Sequence, residues 1–238
     1  LGIMCLSLVL VVMSVSGLNT ALPTMQRDLG ATASELQWIV DAYAVVFAGL
    51  LLSAGAIGDR FGRRRALLGG LVVFGIGALL GGLAGDATQV IASRAVMGIG
   101  AAFVMPATLS LITSIFPPHE RPRAIAVWAG FAGAGGSIGP ILTGGLLEGF
   151  WWGSTLLVNV PIVVAIIVAV RAFAPDSRDE TGTPLDPVGA LLSLVGLGSL
   201  IFAIIQGPED GWTSTSVVAA FLTAAVTLAL FVVWERRS

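Results

Sequence analysis

Two charged residues stand deep inside runs that are otherwise apolar. Asp41 lies in "WIVDAYAVVFAG" (38–49), and Arg94 lies in "SRAVMGIGAA" (93–102). Each falls about six residues into its run, which on a helix is roughly 9 Å below the helix end. An ionised carboxylate at that depth in a membrane must pair, protonate or face water. Such a group suits a proton carrier or an anchor for a cation. An arginine at the same depth either serves such a carboxylate or satisfies backbone carbonyls. The equal depths permit an Asp41–Arg94 interaction if the two runs are neighbours.

A third cluster, "GDRFGRRRA" (58–66), places four arginines and one aspartate between two apolar runs. Read plainly, the arginines fix topology. The arrangement permits more. Gly55, Gly58 and Gly62 allow close helix approach and a tight turn. Asp59 among Arg60, Arg63 and Arg64 can form a charge latch that opens when helices rock. A fourth stretch crowds Gly130, Gly133, Gly135, Gly136, Gly139, Gly144 and Gly145 around Pro140. Gly135 and Gly139 form a small-xxx-small pair, and Pro140 favours a kink.

Other chemistries are excluded by composition. The 238 residues contain no lysine, one histidine (His119) and one cysteine (Cys5). A phosphate-binding loop lacks its lysine, a Schiff base is impossible, and no ligand cluster suggests a metal. No internal disulfide can form. No basic arm points to nucleic acid. The expectation is a protein that is not an enzyme and needs no cofactor.

These residues must be positioned by membrane helices. The chain is 56% hydrophobic and 11% charged, with a mean hydropathy of +0.95. Eight apolar runs, at about 3–23, 36–57, 66–84, 89–115, 123–147, 153–173, 187–205 and 215–234, are long enough to span a bilayer. The loops at one end hold Arg60, Arg63, Arg64, Arg65, Arg121, Arg123, Arg171, Arg178, Arg236 and Arg237, whereas the other end holds Arg27 alone. The positive-inside rule makes the arginine-rich end cytoplasmic, with both termini on that side. Trp38, Trp151, Trp152 and Trp212 mark the outer border, and Trp234 the inner one. Asp186 before Pro187, and Ser214 or Thr215, read as helix N-caps.

Four motifs in order resemble the major facilitator superfamily. "GAIGDRFGRRRALL" (55–68) is similar to its signature between helices 2 and 3. "SRAVMGIGAA" resembles the helix 4 motif, "GSIGPILTGG" (136–145) the helix 5 motif of antiporters, and "LNTALP" (18–23) the end of the helix 1 motif of drug:proton antiporters. "WIVDAYAVVFAG" and "WWGSTLLVNVP" (151–161) narrow the likeness to the fourteen-span group of quaternary-ammonium and multidrug exporters. The resemblance covers essentially the whole chain.

It implies an all-α integral membrane fold: a six-helix bundle over 1–174, a cytoplasmic linker over 175–186, and two additional central helices over 187–238. The C-terminal six-helix bundle is absent from this chain, and that bundle or a second copy would be needed for transport. The implied activity is proton-coupled efflux of lipophilic, cationic compounds across the cytoplasmic membrane. Asp41 and Arg94 would couple protons. Gly55, Gly58, Asp59, Arg60, Gly62, Arg63 and Arg64 would gate the cytoplasmic side, and Gly135, Gly139, Pro140 and Gly144 would let helix 5 bend. Asn19, Tyr43, Met105, Trp128 and Phe131 are candidates for the cavity wall. One departure stands out: Ser14 occupies the position where the resembling exporters usually carry an aspartate. It leaves two alternatives open: export of a specific metabolite or self-made antibiotic, or a truncated membrane partner that does not transport.

Overall fold

In a computed structural model, residues 1–175 and 186–236 are described. They form α1 (Gly2–Leu29), α2 (Ala33–Phe61), α3 (Arg63–Gly82), α4 (Ala87–Ile115), α5 (Arg121–Leu147), α6 (Ser154–Leu157), α7 (Asn159–Phe173), α8 (Pro187–Asp210) and α9 (Thr215–Glu235). No strand occurs among the described residues. Helices α6 and α7 together make one crossing, Ser154–Phe173, so eight segments are long and apolar enough to span a membrane. All eight coincide with the apolar runs of the sequence. The expected linker 175–186, with Arg178, lies outside the described residues except at its two ends, as does Arg237.

The helix ends follow local chemistry. Thr32 and Glu35 make a reciprocal capping box at the start of α2. The Asp86, Asp186 and Ser214 side chains accept from Gln89 N, Gly189 N and Val217 N, capping α4, α8 and α9. Gly30 ends α1 in the left-handed conformation, at φ 64°. Hydropathy places the end of this helix at residue 23, but the helix runs six residues further, to Leu29. The apolar run marks where the hydrocarbon ends, whereas backbone hydrogen bonding continues through the polar Gln26, Arg27 and Asp28. Pro23 sits inside α1, as Pro106 does in α4 and Pro140 in α5.

In lipid no hydrophobic force drives one helix onto another, so close packing must hold the bundle. Helix α1 packs along α5, and α4 packs along both α2 and α3. Exchanging α1 with α4 and α2 with α5 maps the α1–α5 contact onto the α4–α2 contact. Small residues set these approaches. A Cβ on Gly139 would lie 2.6 Å from the Met13 carbonyl oxygen, and one on Gly135 would lie 3.0 Å from that of Val9. A Cβ on Gly98 would meet the Tyr43 carbonyl oxygen at 2.6 Å, and one on Gly100 would meet that of Gly70 at the same distance.

Helices α8 and α9 pair with each other, and α8 lies antiparallel along α2. Ser34 hydrogen-bonds Gln206, and Trp38 meets Phe202 at 6.2 Å between ring centres. Ser193 Oγ donates to the Gly49 carbonyl at 3.0 Å, and Ser53 Oγ to that of Asp186 at 3.4 Å.

Neighbouring glycines of α5 should therefore respond differently to the same substitution. Gly139→Leu drives a side chain into the α1 backbone and should cost at least about 2 kcal/mol. Gly144→Leu enters open space and, with its better helix propensity, should be neutral or stabilising. Thermal melting of the two purified variants checks this. Equal melting temperatures would remove the α1–α5 backbone contact.

Candidate functional site

Arg94 is fully buried, the largest such side chain with no measurable exposure among the described residues. Its Nε donates to the Ile39 carbonyl at 3.1 Å, and Nη1 lies 3.8 Å from the Met97 sulfur. The guanidinium carbon stands 4.4 Å from the centre of the Tyr43 ring. That cation–π contact is worth about 2 kcal/mol when desolvated. Nη2 has no hydrogen-bond partner among the described residues. Tyr43 stacks in turn on Phe47, with ring centres 6.0 Å apart. Ile39 and Tyr43 are one turn apart on α2 and form a single platform for the arginine.

Asp41 lies two residues from each and therefore on the far side of α2. The structure brings α2 and α4 together but does not join Arg94 to Asp41. The Asp41 carboxylate is half-buried, with the Gln37 side chain one turn before it on α2. No ion pair reaches it among the described residues. In register it falls between Trp38 and Val45, at the edge of the face that α8 covers. A Cβ on Gly198 of α8 would touch Val45 at 3.6 Å. The neighbourhood of α8 was not visible from motif spacing.

At the arginine-rich end, Gly62 interrupts α2 and α3 with φ 114°, a value that favours glycine. A Cβ on Gly58 would crowd Ala66 at 3.1 Å, whereas one on Gly55 would make ordinary contact with Pro106 at 3.5 Å. Arg63 Nε donates to Asp59 Oδ1 at 2.7 Å across the break. Arg64 Nη2 donates to the Arg171 carbonyl at 2.7 Å, tying the start of α3 to the end of α7. Arg60 stands over the Phe61 ring at 5.6 Å. Between α2, α8 and α9 at this end is a cavity of about 270 Å³, with Ser53, Asp186, Ser193 and Glu235 in its wall.

The remaining candidates divide. Gly135 and Gly139 touch α1, while Gly144 has open space beside it. Pro140 is half-buried between them. Asn19 and Phe131 are exposed, Met105 is half-buried, and Tyr43 and Trp128 are inside the packed bundle. Ser14 is buried in a polar pocket that sequence reading missed. It shares a cavity of about 10 Å³ with Thr143, Thr155 and Asn159, whose Oδ1 has no hydrogen-bond partner among the described residues. The only sequence signal was an asparagine inside an apolar run.

The model of the Major Facilitator Superfamily matches residues 4–234. The chain belongs to that superfamily. It is 39% identical over 239 residues to the multidrug efflux pump LfrA of Mycolicibacterium smegmatis, covering 100% of this chain and 47% of that protein. It is also 39% identical over 236 residues to the cephamycin export protein CmcT of Amycolatopsis lactamdurans, covering 98% and 49%. A crystal structure of a peptide transporter POT in complex with sulfate superposes with a TM-score of 0.70 at 16% identity, over 98% of this chain and 52% of that one. That likeness concerns the fold. The chain spans about half the length of the curated relatives it matches. As a superfamily member with eight apolar crossings, it is a multi-pass membrane protein of a transporter family.

The platform under Arg94 makes two substitutions informative. A lysine cannot both lie flat on Tyr43 and direct an Nε–H to Ile39. Arg94→Lys should lose about 1.5–3 kcal/mol, the value of a hydrogen bond from a charged group. Tyr43→Phe keeps the ring and gives up a hydroxyl that bonds no described residue, so it should cost less than about 0.5 kcal/mol. Melting temperatures in detergent check both, and the reverse ranking would contradict the platform.

Proposed function

We propose that this chain is the N-terminal part of a proton-coupled exporter of lipophilic, cationic compounds. Residues 1–174 act as one six-helix bundle, and 187–238 add two central helices. The transport cavity is completed by a C-terminal bundle or a second copy. One observation carries the reading: Asp41 is a half-buried carboxylate on a membrane-crossing helix, with no cationic partner among the described residues. Such a group can take up a proton or hold a cation, whereas a carboxylate locked to Arg94 could do neither freely. Likeness to the multidrug efflux pump LfrA supports the same reading, as do the two carboxylates beside the cavity between α2, α8 and α9.

In this mechanism protons enter from outside through Asp41, and Arg94 holds α2 in position on α4. The Asp59–Arg63 pair and the arginines around it latch the cytoplasmic side. Helix α5 rocks on α1 at Gly135 and Gly139, with Pro140 and Gly144 easing the bend. Asn19, Met105 and Phe131 face the cargo, and Tyr43 and Trp128 support that wall from inside. The cargo and the protons are the partners; no cofactor, metal or enzymatic step is involved. The arginine distribution puts both ends of the chain on the cytoplasmic side of the cell membrane. Each proton moving down 100 mV releases about 2.3 kcal/mol, enough for roughly 50-fold accumulation.

Ser14 supports a second reading. A serine cannot carry a proton reversibly near neutral pH, and the likeness to the cephamycin export protein CmcT suggests a dedicated antibiotic as cargo.

The test uses inverted vesicles carrying the protein and a fluorescent lipophilic cation. An imposed pH gradient should drive dye uptake, and Asp41→Asn should reduce it at least tenfold at unchanged membrane insertion. Unchanged uptake would remove Asp41 from coupling. Dye that is neither moved nor competed for would replace the multidrug reading by the dedicated one.

A further inference from the structure

The four arginines of the α2–α3 turn are not used alike. Arg63 binds Asp59, and Arg64 binds the Arg171 carbonyl. Arg60 and Arg65 are exposed and have no carboxylate partner among the described residues. Arg65 closes one end of a groove of about 340 Å³ between α2, α3 and α4, whose wall includes Ile57, Phe61, Gly69, Val73 and Phe103. Phe61 also carries Arg60 over its ring. The groove is long and hydrocarbon-lined, with positive charge only at its arginine end.

The backbone adds to that charge. Gly62 gives α3 no side-chain cap, so the first N–H groups of the helix point outward at its positive end. Among the described residues the carboxylate on this turn, Asp59, is already paired with Arg63. The floor of the groove is open because of Gly69, where a Cβ would meet nothing within 4 Å. Arg65, Gly69, Val72, Ile76 and Leu80 follow one another at helical spacing along α3, and the last three are exposed. The groove therefore runs from the arginine-rich border into the surface that faces lipid tails.

We propose that this groove binds one anionic phospholipid, with its phosphate on Arg65, Arg60 and the α3 N-terminus and an acyl chain along Gly69 and Val73. Charge complementarity selects an anionic headgroup over a zwitterionic one, because basic clusters at the membrane border attract anionic lipids. The apolar groove selects a lipid over a free phosphate. This site is independent of what the protein transports. A bound lipid here would sit beside the Gly62 break, where α2 and α3 must move if the turn opens.

Native mass spectrometry of the delipidated protein tests the site. The probes are phosphatidylglycerol, phosphatidylcholine with the same chains, and soluble glycerol 3-phosphate. Phosphatidylglycerol should be retained at least fivefold better than phosphatidylcholine. Arg65→Gln should cut its retention about fivefold, the effect of one basic residue at the border. Gly69→Leu keeps every arginine but fills the groove, and should weaken retention by a similar factor. Both positions are exposed, and unchanged melting temperatures would show that the variants fold. Equal retention of the two lipids, or retention untouched by both variants, would overturn the site. Displacement of phosphatidylglycerol by equimolar glycerol 3-phosphate would reduce it to an anion site and also overturn the proposal.

Discussion

Arg94 cannot be buried alone. A guanidinium inside a membrane bundle must find carbonyls or rings to replace water, and α4 itself has no spare carbonyl in its hydrogen-bonded interior. The Ile39 carbonyl and the Tyr43 ring meet the need, and both come from α2. This fixes the rotation and the register of α2 on α4. Gly98, one turn beyond Arg94, lets the two backbones close to a distance at which these contacts form. On its other side α4 closes on α3 through Gly100 and Gly70. One buried charge and a few missing side chains thus hold three crossings together.

The rotation of α2 has a functional consequence. With Ile39 and Tyr43 turned toward α4, Asp41 must turn away from it. Two charges at equal depth, on neighbouring helices, are kept apart by a two-residue offset. The arginine bonds α2, and the carboxylate is left without a cationic partner among the described residues. Helix α8 then lies beside that carboxylate, held to α2 by Ser34, Trp38 and Gly49. The other charged region, at the α2–α3 turn, follows a different logic. Its ion pair is half-buried and spans a glycine break, and a pair that water still reaches contributes about 1 kcal/mol. A contact of that size can open and close, as a latch requires.

Much of this was legible in the sequence because hydropathy and capping are local signals. The eight crossings, the Asp186 and Ser214 caps and the turn at Gly62 all read directly from residue types and spacing. The end of α1 did not, because hydropathy reports the hydrocarbon border and not the last hydrogen bond. Spacing also marked Gly135 and Gly139 as a contact pair. It could not separate them from Gly144, which has the same composition around it and faces open space. The partner of Arg94 was invisible for a deeper reason: it is a main-chain carbonyl, which every residue has. Tyr43 read as cavity wall because its ring, like any aromatic in an apolar helix, carries no mark of which neighbour it meets. The Ser14 pocket was hidden because Thr143 and Asn159 come from distant parts of the chain.

The central claim is that Arg94 is coupled to the α2 platform and not to Asp41. A double-mutant cycle measures this directly, with unfolding free energies for the charge-removing Arg94→Met combined in turn with Tyr43→Leu and with Asp41→Asn. The account predicts a coupling of about 1–2 kcal/mol between Arg94 and Tyr43, and additivity within about 0.5 kcal/mol between Arg94 and Asp41. A coupling above 1 kcal/mol to Asp41, with none to Tyr43, would mean that the two charges form the pair and that the platform does not hold the arginine.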